Sequence, residues 1–156
     1  FTKAKNIEFL ENLKKWFNFK YDVIFFYNVY GPKQITSGKM ATVIGIFEDC
    51  YKKKIPLPVV RPGNQSRRFT HISDTIAVCY KAWKLDRCSY YSISNKESFS
   101  ILKVAKLFKS DVVFLPARKG ERYASALSNM VIKNKVNKNF GKIKLSNYIK
   151  NFLKNH

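Results

Sequence analysis

The feature that most constrains this chain is the unbroken apolar run Val23-Ile24-Phe25-Phe26-Tyr27, entered from Asp22. A strand with one wet face alternates apolar and polar residues. A short run without alternation suits a strand covered on both faces, as in a parallel sheet flanked by helices. The flanking patterns agree. Ile7, Leu10, Leu13 and Phe17 recur at helical spacing, which predicts an amphipathic helix over 2–18. Met40, Val43, Ile44, Phe47 and Tyr51 predict a second helix after a loop punctuated by Gly31-Pro32. Leu57–Val60 reads as a short strand, placed at an edge by Pro58, which has no N–H to give a ladder. Ser73 and Asp74 are candidate caps for a helix whose apolar face is Ile76, Tyr80 and Trp83. Strands at 90–93 and 112–115 alternate with a helix at 101–108. A short helix near 128–136 and a last one bearing Leu145, Tyr148, Ile149 and Phe152 close the chain. This order is α/β with a mainly parallel sheet. The 23–27 strand needs parallel neighbours that the chain scarcely supplies, so they are expected upstream of Phe1.

Thirty Lys and Arg against ten Asp and Glu leave a net charge of +20 in 156 residues, which raises the question of a nucleic-acid partner. The cations are dispersed, and Lys52-Lys53-Lys54 is the only run of three. No zinc-finger spacing, glycine-aromatic RNA signature or basic region with heptads is legible. Lys, Asn, Ile, Phe and Tyr are abundant together, a compositional bias that accounts for most of the charge. Nucleic acid is therefore not the expected partner, and a basic non-catalytic binding module stands as the competing reading. Apolar residues at 46% exclude a disordered basic tail. No apolar run approaches the ~20 residues of a membrane span. Cys50, Cys79 and Cys88 have neither disulfide-framework nor metal-ligand spacing. They read as small hydrophobes in a cytoplasmic protein, and no metal is expected.

Four segments carry a resemblance, in order along the chain. Phe25-Phe26-Tyr27-Asn28-Val29-Tyr30-Gly31-Pro32 resembles the strand-ending aromatic-Asn-Val-Tyr-Gly-Pro turn of the extended short-chain dehydrogenases, the NAD-dependent nucleotide-sugar epimerases and dehydratases. Leu57 to Asp74 is similar to that family's strand, glycine loop, arginine, aromatic and helix-opening Asp; the last three are Arg67, Phe69 and Asp74. Tyr91-Ser92-Ile93-Ser94 with Ser98-Phe99-Ser100-Ile101 resembles its later strand-loop-helix. Arg118-Lys119-Gly120-Glu121 resembles its Arg-x-Gly-acid motif. Within the family the likeness is to the UDP-glucose 4-epimerase group. Two departures stand out: Arg61-Pro62-Gly63 replaces the usual Gly-Asp-Gly, and Arg68 stands where the family has an acid.

The resemblance implies roles. A family Tyr-x-x-x-Lys opens a helix at an interval that Lys3 keeps from Asn28, so its tyrosine would fall just upstream of Phe1. Lys3 would be catalytic and cofactor-binding, favouring a tyrosinate base and meeting the nicotinamide ribose of NAD. Tyr27 would approach the nicotinamide, and Asn28 would donate to the substrate diphosphate. Arg67 and Arg118 would clamp that diphosphate with the planar guanidinium fork. Val60 would pack the nucleotide base, Glu121 would accept from a ribose hydroxyl, and Tyr123 would line the sugar pocket. Each has a plainer reading: surface lysine or arginine, turn-forming Asn, core Tyr and Val, surface Glu.

The expectation is the C-terminal portion of a Rossmann-type parallel sheet plus a small α/β substrate-binding lobe. Residues 1–30 and 65–95 would supply Rossmann elements, and 31–64 and 96–156 the lobe. The function implied is part of a UDP-glucose 4-epimerase-like enzyme that transiently oxidises a sugar hydroxyl with NAD. The alternative is a 4,6-dehydratase of the same family. The substrate would be a nucleotide-sugar, UDP-sugar favoured. The complete enzyme would be a homodimer, and this piece alone inactive.

Overall fold

In the computed structural model, residues 2–119 and 136–156 are described. The order is α1 (Thr2–Phe17), β1 (Val23–Phe26), β2 (Val29–Tyr30), α2 (Val43–Lys52), β3 (Leu57–Val60), β4 (Ser66–Arg67), β5 (Thr70–His71) and α3 (Ile72–Leu85). It continues with β6 (Tyr90–Ser94), β7 (Phe99–Ser100), α4 (Ile101–Leu107), β8 (Val112–Leu115), β9 (Val136–Phe140) and α5 (Leu145–Lys154).

The alternation produces the expected α/β architecture. β1, β6 and β9 form a three-stranded sheet, parallel throughout, with Val23 opposite Tyr90 and Tyr90 opposite Val136. β3 pairs with β8, and β2 with β5, both parallel; β4 pairs antiparallel with β7. Pro58 sits in a strand with a single partner among the described residues, where its missing N–H costs no ladder bond.

Two clusters hold the described residues together. The larger surrounds Phe47, Leu57, Val59, Val104, Phe108, Leu145 and Ile149, packing α2, α4 and α5 against β3 and β8. The smaller is Val78, Ala82, Tyr91 and Ile93, where α3 meets β6. Both follow from helical or alternate-residue spacing.

Four expectations differ. The buried face of α3 is Thr75, Val78 and Ala82, whereas Ile76, Tyr80 and Trp83 are exposed by 57–68%. Helical spacing made both stripes plausible. The helix turns toward β6 the stripe of Thr75, Val78 and Ala82, whose Val78 and Ala82 pack on Tyr91 and Ile93. The cap of α3 is His71, whose Nδ1 accepts from Ser73 N at 3.2 Å. Asp74 instead accepts from Ile143 N at 3.0 Å, tying α3 to the segment before α5. The third is β9. Its polar sequence, Val-Asn-Lys-Asn-Phe, announces no buried strand, and 128–136 read as helical. Residues 128–135 of that stretch lie outside the described residues, while Val136–Phe140 extends the sheet beside β6.

β1 is half-buried rather than covered on both faces, with Phe26 55% exposed. It pairs only with β6 among the described residues, and α1 contributes no buried residue. No helix among the described residues is long and apolar enough to cross a membrane.

Candidate functional site

β1 ends at Phe26, and the chain turns through Tyr27, which is buried, and Asn28, which adopts a left-handed φ of 41°. Asn tolerates that region better than most residues, so its choice at the turn has a backbone reason as well as a chemical one. Asn28 Nδ2 donates to Arg68 O at 3.3 Å, which leaves the amide a second hydrogen. The turn also needs a small residue. A Cβ on Gly31 would fall 2.5 Å from Ile72 Cγ2.

Asn28 opens onto a cavity of about 470 Å³. Its floor and walls come from separate elements: Asn28 and Val29 from the β1–β2 turn, Thr42 to Ile44 from the start of α2, and Pro58 and Val60 from β3. Gln65, Arg67 and Phe69 come from the segment around β4, and Leu115 and Arg118 from the end of β8. Thus the structure gathers four residues read from sequence, Asn28, Val60, Arg67 and Arg118, around one space. Arg67 is half-buried, with Nη1 donating to Ser66 O at 2.9 Å. Arg118 is exposed at the rim.

Lys3 and Tyr27 do not line this cavity. Lys3 is exposed in the first turn of α1, where Lys5, not Lys3, pairs with Glu8. Glu121 and Tyr123 lie outside the described residues.

Two contributions were not read from the sequence. The first is the N-terminus of α2. Thr42 caps it by accepting from Gly45 N at 3.0 Å, and the first amides of the helix belong to residues lining the cavity. Helix N-termini favour anions because those amides lack helical acceptors and the dipole is positive there. Thr42 is itself held. Its hydroxyl donates to Gln34 Oε1 at 2.8 Å, Gln34 Nε2 donates to Glu48 Oε2 at 2.9 Å, and Tyr148 O–H donates to Glu48 Oε1 at 2.8 Å. Thr42 preceding the apolar pattern of α2 was the available signal for this cap.

The second is Gln65, 2% exposed, whose Nε2 donates to Val60 O at 3.1 Å. A lone glutamine in a polar loop carries no sequence signal of burial.

Electrostatically, the cavity offers two guanidinium groups and a helix N-terminus, with no carboxylate among the described residues that line it. Apart from Asn28 and Gln65, its remaining wall is apolar. Such a space takes an anion joined to a flat or apolar moiety. No group of three or more His, Cys, Asp or Glu able to hold a metal occurs among the described residues. Cys50, Cys79 and Cys88 are free thiols; burial raises the Cys50 pKa.

Residues 1–90 match the model of the NAD dependent epimerase/dehydratase family. A protein of Methanocaldococcus jannaschii, provisionally named a UDP-glucose 4-epimerase, is 28% identical over 127 residues, covering 78% of this chain and 41% of that protein. Among solved structures, the UDP-N-acetylglucosamine 4-epimerase of Methanobrevibacter ruminantium, in complex with UDP-N-acetylmuramic acid, superposes with a TM-score of 0.79. It is 19% identical, over 97% of this chain and 51% of that one. The dTDP-glucose 4,6-dehydratase of Bacillus anthracis, in complex with NAD, gives 0.68 at 15% identity, over 90% of this chain and 46% of that one. At such identities the structures establish a shared fold. The chain spans about half the length of the proteins it matches.

Proposed function

Because the chain belongs to the NAD-dependent epimerase/dehydratase family, we propose that it forms the nucleotide-sugar-binding part of a UDP-sugar 4-epimerase. The observation that carries this reading is the convergence of Asn28, Arg67, Arg118 and the α2 N-terminus on one cavity. In the proposal Arg67 and Arg118 grip the diphosphate, the α2 amides and Asn28 donate to it, and Val60 packs the base. Glu121 and Tyr123 keep their proposed ribose and sugar contacts.

The family is NAD-dependent, and the residues present fit one end of that cofactor. Tyr27 is buried at the carboxyl end of a parallel strand, where α/β sheets receive dinucleotides, next to a residue of the substrate cavity. NAD, when bound, supplies the hydride acceptor for a sugar hydroxyl. Lys3, exposed in the first turn of α1, would bond the ribose hydroxyls of that cofactor and favour the phenolate form of a catalytic tyrosine. Tyr27 would approach the nicotinamide. The 4,6-dehydratase reading shares every one of these roles, and the likeness to a dehydratase structure keeps it open.

The division into Rossmann elements at 1–30 and 65–95 and a lobe at 31–64 and 96–156 belongs to the same proposal, with β9 returning from the lobe into the sheet. So does a homodimer through α1, whose Phe9, Trp16 and Phe17 are exposed. Three free thiols accord with a cytoplasmic setting.

Calorimetric titration of the chain with UDP tests the reading. A guanidinium–phosphate bond contributes about 1.5–3 kcal/mol, so Arg67→Ala and Arg118→Ala should each weaken UDP about tenfold or more. Unrelated polyanions should compete poorly. Failure to bind UDP, or affinity indifferent to both arginines, refutes it.

A further inference from the structure

Gln65 has a feature that diphosphate binding does not use. It lines the cavity while being only 2% exposed, and its backbone is pinned by Ile101 N, which donates to Gln65 O at 3.1 Å. Val60 O, a pure acceptor 3.1 Å from the side-chain nitrogen, fixes which way the amide faces: the NH2 end must meet the carbonyl. The other end, Oε1, is buried and has no hydrogen-bond partner among the described residues. A buried carbonyl oxygen without a donor is costly, and such groups in a ligand cavity are candidates for completion by the ligand.

The surroundings indicate which part of a ligand reaches it. Gln65 is bonded to Val60, and with Pro58, Phe69 and Leu115 these residues make the apolar wall of the cavity. A flat heterocycle fits an apolar wall interrupted by one amide; a diphosphate does not. A lone acceptor there calls for a donor on the ring edge.

Resting on the reading of the cavity as a nucleotide-sugar site, we propose that Gln65 determines base specificity. Its Oε1 accepts from the ring N–H of a uracil or thymine base, so the ligand is a nucleoside diphosphate whose base carries that imide. The bond turns the orphaned oxygen into a recognition element and positions the base against Val60.

The first test needs no variant: affinity of the unaltered chain for UDP against UDP methylated at the base N3. Methylation removes the donor and should weaken binding about tenfold or more. Equal affinity overturns the proposal, as does CDP binding as tightly as UDP. Gln65→Met, of similar volume, should bind UDP about tenfold more weakly yet show less than threefold difference between the two UDP forms. Its thermal unfolding shows whether the fold is kept. A methylation penalty unchanged in Gln65→Met also overturns the proposal. UDP binding that depends on Arg67 without any methylation penalty overturns base reading by Gln65 alone. Absence of UDP binding removes the diphosphate site with it.

Discussion

Removing the Tyr148 hydroxyl is the sharpest probe of how α5 supports the cavity. Glu48 lies inside α2 and is 8% exposed, so its carboxylate depends on the bonds it accepts from Gln34 Nε2 and Tyr148 O–H. Burial first, and the bond to Glu48 second, push the Tyr148 phenol well above its ordinary range, so it remains a donor at neutral pH. Tyr148→Phe deletes that donor and leaves the ring contacts with Tyr30, at 5.0 Å, and His71, at 5.6 Å, in place. A hydrogen bond to a charged group contributes about 1.5–3 kcal/mol, so a loss near 2 kcal/mol is expected in urea unfolding at pH 7, with an unchanged slope. Glu48→Gln should cost about 1 kcal/mol. The new amide still accepts from Gln34 and donates to Tyr148, but both bonds lose their charge assistance. In that background Tyr148→Phe should cost about 1 kcal/mol less than in the parent chain. A loss from Tyr148→Phe below about 0.5 kcal/mol, with no coupling to Glu48, would show that the hydroxyl contributes nothing and that the α5–α2 link is incidental.

Three other outcomes are expected. His71 is held neutral by burial, which lowers its pKa from 6.5, only partly offset by Asp74, and its neutral Nδ1 caps α3. With the folded pKa below the unfolded one, the unfolded chain binds the proton first. Stability should therefore fall as pH drops through about 6.5 and level off below the folded pKa, a slope that His71→Asn should reduce in pH-dependent thermal melts. Phe47→Ala, at a fully buried position, should cost about 3–5 kcal/mol, whereas Trp83→Ser, on the exposed stripe of α3, should stay within about 0.5 kcal/mol; equal losses would mean that α3 faces the other way. Gly45→Ala would put a Cβ 2.5 Å from the Ile35 carbonyl oxygen, a backbone atom. Melting should show a loss of about 1–3 kcal/mol together with weakened UDP binding, because the start of α2 must shift.

The elements were legible wherever one physical preference dominated. The run Val23–Tyr27 reads as a sheet strand by its length and its β-branched and aromatic content, and Val43, Ile44, Phe47 and Tyr51 repeat at a period that a helix brings to one face. Asn28 pointed to the cavity from its place at a strand's carboxyl end, where ligands of α/β sheets gather, whereas Arg67 and Arg118 were singled out only by their resemblance to the family's motifs. Legibility ended where two patterns were equally good or where the partner was distant in sequence. Both stripes of α3 are apolar enough to be buried, and the choice lay with Tyr91 and Ile93 across the interface. The strand Val136–Phe140 is too polar to declare itself, and it forms because β6 presents an unpaired edge.

By itself the sequence determined the alternation of strands and helices, the aromatic-Asn-Val-Tyr-Gly-Pro turn and the basic residues available to hold an anion. These are local matters, set by periodicity and by side-chain chemistry. Only the tertiary structure decided that Gln65 is buried with one amide end committed to Val60, and that Glu48 links Tyr148 to the cap of α2. Burial and hydrogen-bond partnership belong to pairs of residues as far apart as Tyr30 and Ile143, 113 positions, and packing alone brings those pairs together.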